Sequence, residues 1–371
     1  MRLSRPISAA GRLELHISRA DLPPETLFDL AERRNPRRAF LFVSKVLGRH
    51  IPVAPSTMRA VHQLLADRID LPPGMRTLFV GMAETAVGLG AGVFRACRER
   101  CPDSLCLTST RHDFPMPRLA EFEETHSHAM RHVLYQPRNA TLGGRPIHLV
   151  AVDDEMTTGN TFLHLCQALH DAGLPLARVT RAVILDWSPE EAHASFPWPG
   201  ETVSLLRGSW RWIPAQGYAP APLPAPLSAF ARRGEGAVPV SPRQDWGRFG
   251  MSDMPATPWP GVREAPGRRV LVLGTGEFVW PPFLLAERLE REGVRVLFGA
   301  TTRSPIKPGQ AIRSLHEHGD NYGFGIVNYL YNVDPEDFDS IYLCCETGAD
   351  ALDDRLLRHL GKAAVLEYGH D

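Results

Sequence analysis

Asp153 and Asp154 stand side by side after the apolar run Leu149-Val150-Ala151-Val152, and Glu155 adds a third carboxylate. Met156 and the turn Thr157-Thr158-Gly159-Asn160-Thr161 follow at once. The apolar residues form a buried strand, and in open α/β sheets ligands sit beyond the carboxyl ends of the strands, where these acids fall. A helix is expected after Thr161, with Phe162, Leu165, Cys166 and Leu169 at i, i+3, i+4 and i+7 and Gly173 as its C-cap. Backbone N–H groups, three hydroxyls and the helix N-terminus then form a cradle for a dianionic phosphate. Gly159 lets the backbone approach that phosphate with no Cβ in the way. Acids beside such a cradle suit a phosphorylated sugar: carboxylates for ribose hydroxyls or Mg2+, amides for phosphate. The plainer alternative is a strand–turn–helix with an Asp or Thr N-cap.

Two further segments could serve the same chemistry. Gly81-Met82-Ala83-Glu84-Thr85 follows an apolar run and precedes small residues up to Gly90, a strand–loop–helix pattern that suits a diphosphate or simply close packing. After a run ending at Thr108 come Ser109, Thr110 and Arg111, then a polar stretch with His126, His128, Arg131 and His132. A basic loop there would supply cations to a leaving diphosphate and exclude water. Its rivals are a metal cluster of Glu123, His126 and His128, and a solvated helix face. Upstream, the basic block 33–38 precedes an apolar run and Ser44, Lys45, Arg49 and His50, which suit an anionic acceptor or a basic surface strap.

The elements that must hold these residues are short strands alternating with amphipathic helices. Strands are expected at 39–43, 77–80, 104–108, 148–152 and 182–185, with helices at 58–66 and 88–99. This is the pattern of an α/β domain with a largely parallel sheet flanked by helices. Residues 214–260 lack periodicity and are rich in Pro, Ala, Gly and Trp, which reads as a linker or a surface arm. From Arg268 the alternation resumes, with strands at 270–273, 294–298 and 340–344 and a helix at 282–292. The economical division is therefore 1–213 as an N-terminal arm and first domain, 214–262 as linker and 263–371 as a second α/β domain.

Composition narrows the function. A chain of 371 residues supports two cores, and 43% hydrophobic with 22% charged residues is ordinary for a globular protein. A formal net charge of −1 provides no bulk attraction to nucleic acid or membrane. No apolar run reaches membrane-spanning length, and the first residues lack the apolar core of a signal peptide. The six cysteines form no Cys-x-x-Cys pair, so reduced thiols in the cytoplasm are expected.

The segment 149–161 resembles the 5-phosphoribosyl 1-diphosphate signature of type I phosphoribosyltransferases. The resemblance implies that Asp153 and Asp154 face the ribose hydroxyls and Mg2+, directly or through water, while Thr157, Thr158, Gly159, Asn160 and Thr161 bind the 5′-phosphate. Glu155 departs from the pattern, standing where the family has an apolar residue; it could touch substrate or metal, or face solvent. Thr157 stands where purine-type members carry an acid that handles a base proton, so the proton-handling group is left open and 6-oxopurine salvage is disfavoured. With the blocks 35–52 and 81–85, the chain resembles the orotate phosphoribosyltransferase-like branch found with tellurium-resistance and stress operons. That branch is followed by a partner domain named for Thr-Arg-Ser-Pro, here Thr302-Arg303-Ser304-Pro305. The resemblance implies an Mg-dependent transferase that passes phosphoribosyl to an unknown acceptor, making a nucleoside-like metabolite beside other operon enzymes. The site would comprise Asp153, Asp154 and Arg111, the 81–85 loop, Lys45, His128 and Arg131. A regulator that senses the donor or a nucleotide without turnover is the alternative.

The second half echoes the first. Glu84 to Arg111 spans 27 positions and Glu277 to Arg303 spans 26; Arg111 to Asp153 spans 42 and Arg303 to Glu346 spans 43. Both glutamates follow a strand and a Gly-containing loop, and a His-x-His pair (His126/His128, His316/His318) precedes each later acid. These landmarks predict a diverged copy of the first fold, with convergent α/β spacing as the alternative. A fused pseudo-dimer would let Arg303, Lys307 or His316 serve the first site, as neighbouring subunits do in dimeric members; Glu277, Thr302, Arg303 and Ser304 are the second half's own candidates. Otherwise the second half would bind its own phosphorylated ligand near Glu277.

Overall fold

The computed structural model describes residues 1–371 except 9, 34–37, 125–129, 139, 219–245, 255 and 370–371. The largest sheet has seven strands in the order Arg2–Ile7, Gly11–Ala20, Gly200–Pro214, Leu176–Asp186, Ile147–Met156, Arg76–Gly81, Ser104–Thr108. The last five run parallel and the first two antiparallel. In chain order the parallel strands lie 2-1-3-4-5, so the order reverses between Arg76–Gly81 and Ile147–Met156. That reversal opens a crevice at the carboxyl ends of those two strands, where open α/β sheets bind ligands. Ile147–Met156 is buried over its first six residues, as a central strand covered on both faces must be.

The second sheet has four parallel strands, Arg295–Ala300, Arg269–Gly274, Ser340–Cys345 and Ala364–Glu367, in the chain order 2-1-3-4. This is the first sheet's order over four strands, and the register agrees as well. Gly81 pairs with Thr108 and Val152, while Gly274 pairs with Ala300 and Cys344. That correspondence puts Glu277 where Glu84 stands, Arg303 where Arg111 stands and Glu346 where Asp154 stands. Each half also inserts an antiparallel hairpin before its third strand, Arg118–Glu124/Met130–Tyr135 and Leu315–Gly319/Val327–Tyr331. Within each, one tyrosine hydroxyl accepts the amide of Phe114 (Tyr135, 2.6 Å) or Ile306 (Tyr331, 2.8 Å). The shared order and register favour a diverged copy over convergent spacing.

The halves are not separate cores. One apolar cluster contains Leu78, Phe79 and Val150 from the first sheet and Val272, Phe283 and Phe298 from the second region. Helices Pro55–Ala66, Val87–Cys97 and Trp280–Arg291 pack against one another between the sheets. At their junction Glu287 is held by Arg95 at 2.7 and 2.8 Å and by Arg59 at 3.1 Å. The edges are crossed: Met251 bridges Cys106 of the first sheet, and Val53 bridges Phe298 of the second. Composition assigns 214–262 to a linker, but Trp246, Arg248, Phe249 and Met251 are buried because they finish the first sheet's edge. Residues 219–245 of that stretch lie outside the described residues.

Among the described residues no helix is long and apolar enough to cross a membrane. All six cysteines are buried and free.

Candidate active site

A cavity of about 780 Å3 opens at the carboxyl ends of Arg76–Gly81 and Ile147–Met156. Its floor is the strand end Asp153-Asp154-Glu155 and the turn that follows. Asp153 accepts the amide of Asp154 at 2.9 Å, and Asp154 accepts the Thr85 hydroxyl at 2.9 Å, so the first loop and the acids are tied together. Gly159 takes a left-handed φ of 79° and starts the helix Asn160–Asp171, whose first turn has no side-chain cap. Thr157, Thr158, Asn160 and Thr161 line the cavity, and the Asn160 amide donates a long 3.4 Å bond to the Thr158 hydroxyl. A helix N-terminus with free N–H groups beside two hard carboxylates can hold a phosphate and share a divalent cation with it.

The upper wall is Ala83-Glu84-Thr85, reached through a cis Ala83–Glu84 peptide. Gly81 and Met82 lie behind it. A Cβ on Gly81 would come 2.7 Å from the Ala86 carbonyl oxygen and 3.2 Å from Gly90 Cα, so this glycine serves strand–helix packing. Ser109 fixes the loop by accepting the Ala83 amide at 2.9 Å, and its counterpart Thr301 accepts the Gly276 amide at 2.9 Å. Arg111 reaches the Ala83 carbonyl at 3.4 Å and lines the cavity.

The opposite wall comes from the second half. Thr302, Arg303, Ser304 and Pro305 line the first half's cavity, and Thr302 donates to Glu84 at 3.1 Å while Arg303 forms an ion pair with it. Burial pushes the Glu84 carboxyl up, but Arg303, Arg49 and Arg111 outweigh it and hold the pKa below the ordinary value. In mirror fashion the first half holds Glu277, through the Thr110 hydroxyl at 2.5 Å and the Arg111 amide at 2.9 Å. Burial opposes that charge too, and His112, Arg248, Thr110 and Arg111 bring the Glu277 pKa down to about 2. Glu277 is thus buried at the seam, away from the cavity.

The second half's own crevice is filled. Arg248 donates to Glu346 at 3.0 Å from one nitrogen, while its other terminal nitrogen lies 3.0 Å from the same carboxylate and 3.5 Å from Glu277 as ion-pair contacts. The Tyr322 hydroxyl adds a 2.6 Å bond to Glu346, and Phe114 and Trp246 flank the guanidinium at 4.6 and 4.5 Å. Where the first half has open acids, the second has a sealed ion cluster.

Four sequence candidates, Lys45, Arg131, Lys307 and His316, lie outside this cavity's lining. Lys45 donates to the Glu25 carbonyl at 2.7 Å and lines a separate shallow cavity. Arg131 pairs with Glu121 at 2.5 Å and Asp113 at 3.4 Å, because Arg118–Glu124 and Met130–Tyr135 are antiparallel strands rather than a basic loop or helix face. His126 and His128 lie outside the described residues. His50 lines the cavity, its pKa lowered to about 3 by burial and Arg49. His316 stacks on His359 at 4.1 Å, remote from the cavity lining, and Lys307 pairs with Glu32. Among the described residues no group of three or more His, Cys, Asp or Glu could hold a metal, so Asp153 and Asp154 would need ligand oxygens or water to complete a Mg2+ shell.

One wall was not foreseen. Phe40, Phe42, Trp187, Trp210 and Trp212 form an aromatic side to the cavity, with Arg38 and Glu155 between it and the acids. Trp187 could have been suspected, since it is an aromatic residue directly beyond a strand end at the same sheet edge.

Residues 27–209 match the family described as phosphoribosyl transferase, and residues 247–360 match the TRSP domain that follows it at its C-terminus. No curated protein matches the sequence. Among solved structures, the Rhodothermus marinus adenine phosphoribosyltransferase is 14% identical, with 48% of this chain and 94% of that one covered and a TM-score of 0.33. The Trypanosoma brucei adenine phosphoribosyltransferase, solved with AMP, pyrophosphate and ribose-5-phosphate, is 16% identical over 48% and 77% at a TM-score of 0.34. A Corynebacterium diphtheriae phosphoribosyltransferase is 14% identical over 48% and 89% at 0.32.

Proposed function

We infer that this chain, which belongs to the phosphoribosyl transferase family and carries its TRSP domain, takes its phosphoribosyl group from 5-phosphoribosyl 1-diphosphate with Mg2+. The observation that carries the donor assignment is the open helix N-terminus at Gly159-Asn160 beside Asp153 and Asp154, at the reversal of strand order. In this reading the amides and hydroxyls of 157–161 bind the 5′-phosphate, and the two aspartates hold the ribose hydroxyls. Mg2+ would sit on the diphosphate and these carboxylates, drawing charge from the leaving group. Arg111 and Arg303 flank the diphosphate from the two halves, so cations stand in place before charge develops. Catalysis is then positioning and charge stabilisation, without a covalent protein intermediate.

The TRSP half supplies one wall of this site, and among the described residues its own strand-end crevice is filled by Arg248. The crosswise bonds of Glu84 and Glu277 support a pseudo-dimer inside one chain, replacing the second subunit that dimeric members use. The resemblance to the tellurium-resistance and stress branch points to a nucleoside-like product made in the cytoplasm.

Calorimetric titration of 5-phosphoribosyl 1-diphosphate with and without Mg2+ tests this, using wild type and Asp153→Asn/Asp154→Asn. The expected result is Mg2+-dependent binding near one equivalent per chain, lost in a double variant that still folds. Binding without diphosphate release to any acceptor would favour a sensor of the donor instead. No binding by folded wild type would remove the donor site.

A further inference from the structure

Residues 109–112 face two ways. Ser109 accepts the Ala83 amide at 2.9 Å and Arg111 donates to the Ala83 carbonyl at 3.4 Å, so both serve the loop at one end of the cavity. Thr110 and His112 turn to the second half instead. The Thr110 hydroxyl donates to one Glu277 oxygen at 2.5 Å, and the His112 ring centre lies 4.3 Å from that of Tyr322 and 5.1 Å from that of Phe324. The other Glu277 oxygen accepts the Arg111 amide at 2.9 Å. On the near side the backbone is pinned by Thr110 and Val133, which exchange two 2.9 Å bonds. A carboxylate from the second half thus fixes the stretch of backbone from which Arg111 enters the cavity lining. The mirror contact is different. Glu84 pairs with the Arg303 guanidinium itself, whereas Glu277 takes the Arg111 amide and lets the side chain serve the first site.

Glu277 is only 2% exposed and lies outside the cavity lining, so it meets no ligand there. Among the described residues its contacts go to Thr110, Arg111, His112 and Arg248, and none to the cradle at 157–161. A buried, paired carboxylate is a poor way to add stability, but it can fix one arrangement of the groups around it. Resting on the donor site above, we propose that Glu277 is a positioning residue for Arg111: from the second half it sets where the cation stands that meets the diphosphate. Arg111 touches the donor, and Glu277 acts only through it. With both oxygens gone, the Arg111 backbone loses its anchor on one side and the guanidinium loses its fixed place. A side chain that keeps one oxygen for the amide preserves it. The 5′-phosphate end of the donor is held by other elements and does not respond.

The test compares 5-phosphoribosyl 1-diphosphate with ribose 5-phosphate, two ligands that differ by the diphosphate, each titrated calorimetrically with Mg2+ into the full chain. Glu277→Met, of similar length but without acceptor oxygens, should bind the donor roughly tenfold more weakly, the scale of a lost charge-assisted bond. Its affinity for ribose 5-phosphate should stay within about twofold of wild type, as for an independent site. Glu277→Gln, which keeps an oxygen for the Arg111 amide, should restore most of the donor affinity. Arg111→Ala alone should also weaken donor binding, and adding Glu277→Met to it should cost less than about twofold more. If Glu277→Met fails to fold, Thr110→Val takes its place: it removes one of the two anchoring bonds and should show the same pattern at about threefold. Equal losses for the two ligands mark a general loosening and overturn the proposal. So does a Glu277→Met effect undiminished in the Arg111→Ala background, or a Glu277→Met or Arg111→Ala chain that binds donor like wild type. A Gln variant as weak as the Met variant overturns it too. A folded wild type that binds neither ligand removes the donor site itself, and this proposal with it.

Discussion

The Thr302 hydroxyl donates to the Glu84 carboxylate at 3.1 Å, a bond that begins in one half of the chain and ends in the other. Its counterpart from Thr110 to Glu277, at 2.5 Å, runs the opposite way. Reciprocal contacts of this kind define a two-fold interface, in which the same patch is used by both sides. Here the two sides have diverged: one crevice stays open and the other is closed by Arg248.

Arg303 pairs with Glu84, and both line the cavity. Arg303→Ala should weaken Mg2+-dependent donor binding by roughly tenfold or more, since a charge-assisted contact is worth about 1.5–3 kcal/mol. Calorimetry on the variant, with a thermal melt as control, reads this directly. Unchanged affinity would remove the second half from the donor site.

Arg248 has no exposure to speak of, and two glutamates depend on it. Arg248→Ala should cost about 3–5 kcal/mol in unfolding free energy, because it strands buried carboxylates. Arg248→Met combined with Glu346→Gln should recover part of that loss, as measured in urea. Donor affinity of the double variant should remain close to wild type, because the sealed crevice is not the open one.

Acid should destabilise the protein in two stages. His50 and His112 are buried neutral, with pKa values lowered to about 3 and about 4 from 6.5, so the unfolded chain binds protons first. Their stabilisation is complete above about pH 6.5 and is lost progressively as pH falls toward those values. Glu277, lowered from 4.5 to about 2, adds a second loss from about pH 4.5 downward. Glu277→Gln should be less stable at neutral pH and show a shallower decline between about pH 4.5 and 2. Equal slopes would assign the acid transition to other groups.

A Cβ on Gly92 would fall 2.1 Å from His62 Nδ1, in the layer where helices of both halves meet. His62 also packs against the Phe283 ring at 5.6 Å, so it has little room to withdraw. Gly92→Ala should cost roughly 1–3 kcal/mol or more. The cost should appear as a lowered denaturant midpoint with an unchanged slope.

Most parallel strands could be read directly from sequence, because a strand buried on both faces must be a continuous apolar run. Ser104–Thr108 matches its expected span to the residue, and the site acids follow as the abrupt end of another run. Of the antiparallel parts, Phe40–Ser44 was expected at 39–43, but the others were not legible. Arg2–Ile7 is polar and mostly exposed, and Arg118–Glu124 carries as many charges as a loop, its apolar anchor being the stack of Phe122 on His132 at 4.8 Å. Arg303 was found through spacing, and Thr302 only through the Thr-Arg-Ser-Pro motif it shares with Arg303. Arg38, Trp210 and Trp212 were not, since only tertiary folding carries their distant segments to the end of the Glu155 strand.

A fragment ending at residue 213 should fail to fold as a soluble monomer. It would expose the Cys106 edge and the apolar faces that Trp280, Phe283 and Phe298 cover. Size-exclusion chromatography and circular dichroism of that fragment should show association and reduced structure.

The crossed edges also set a timetable for biosynthesis. Residues 48–53 emerge from the ribosome early, yet their partner strand is Arg295–Ala300. At a synthesis rate of about 5–20 residues per second, they wait on the order of ten seconds or longer. The Ser104–Thr108 edge likewise stays bare until Met251 has been made. Nascent chains therefore carry the 48–53 margin unpaired until residue 300 is made and the 104–108 edge unpaired until residue 251, so holding chaperones and slow codons upstream of residue 300 become determinants of yield.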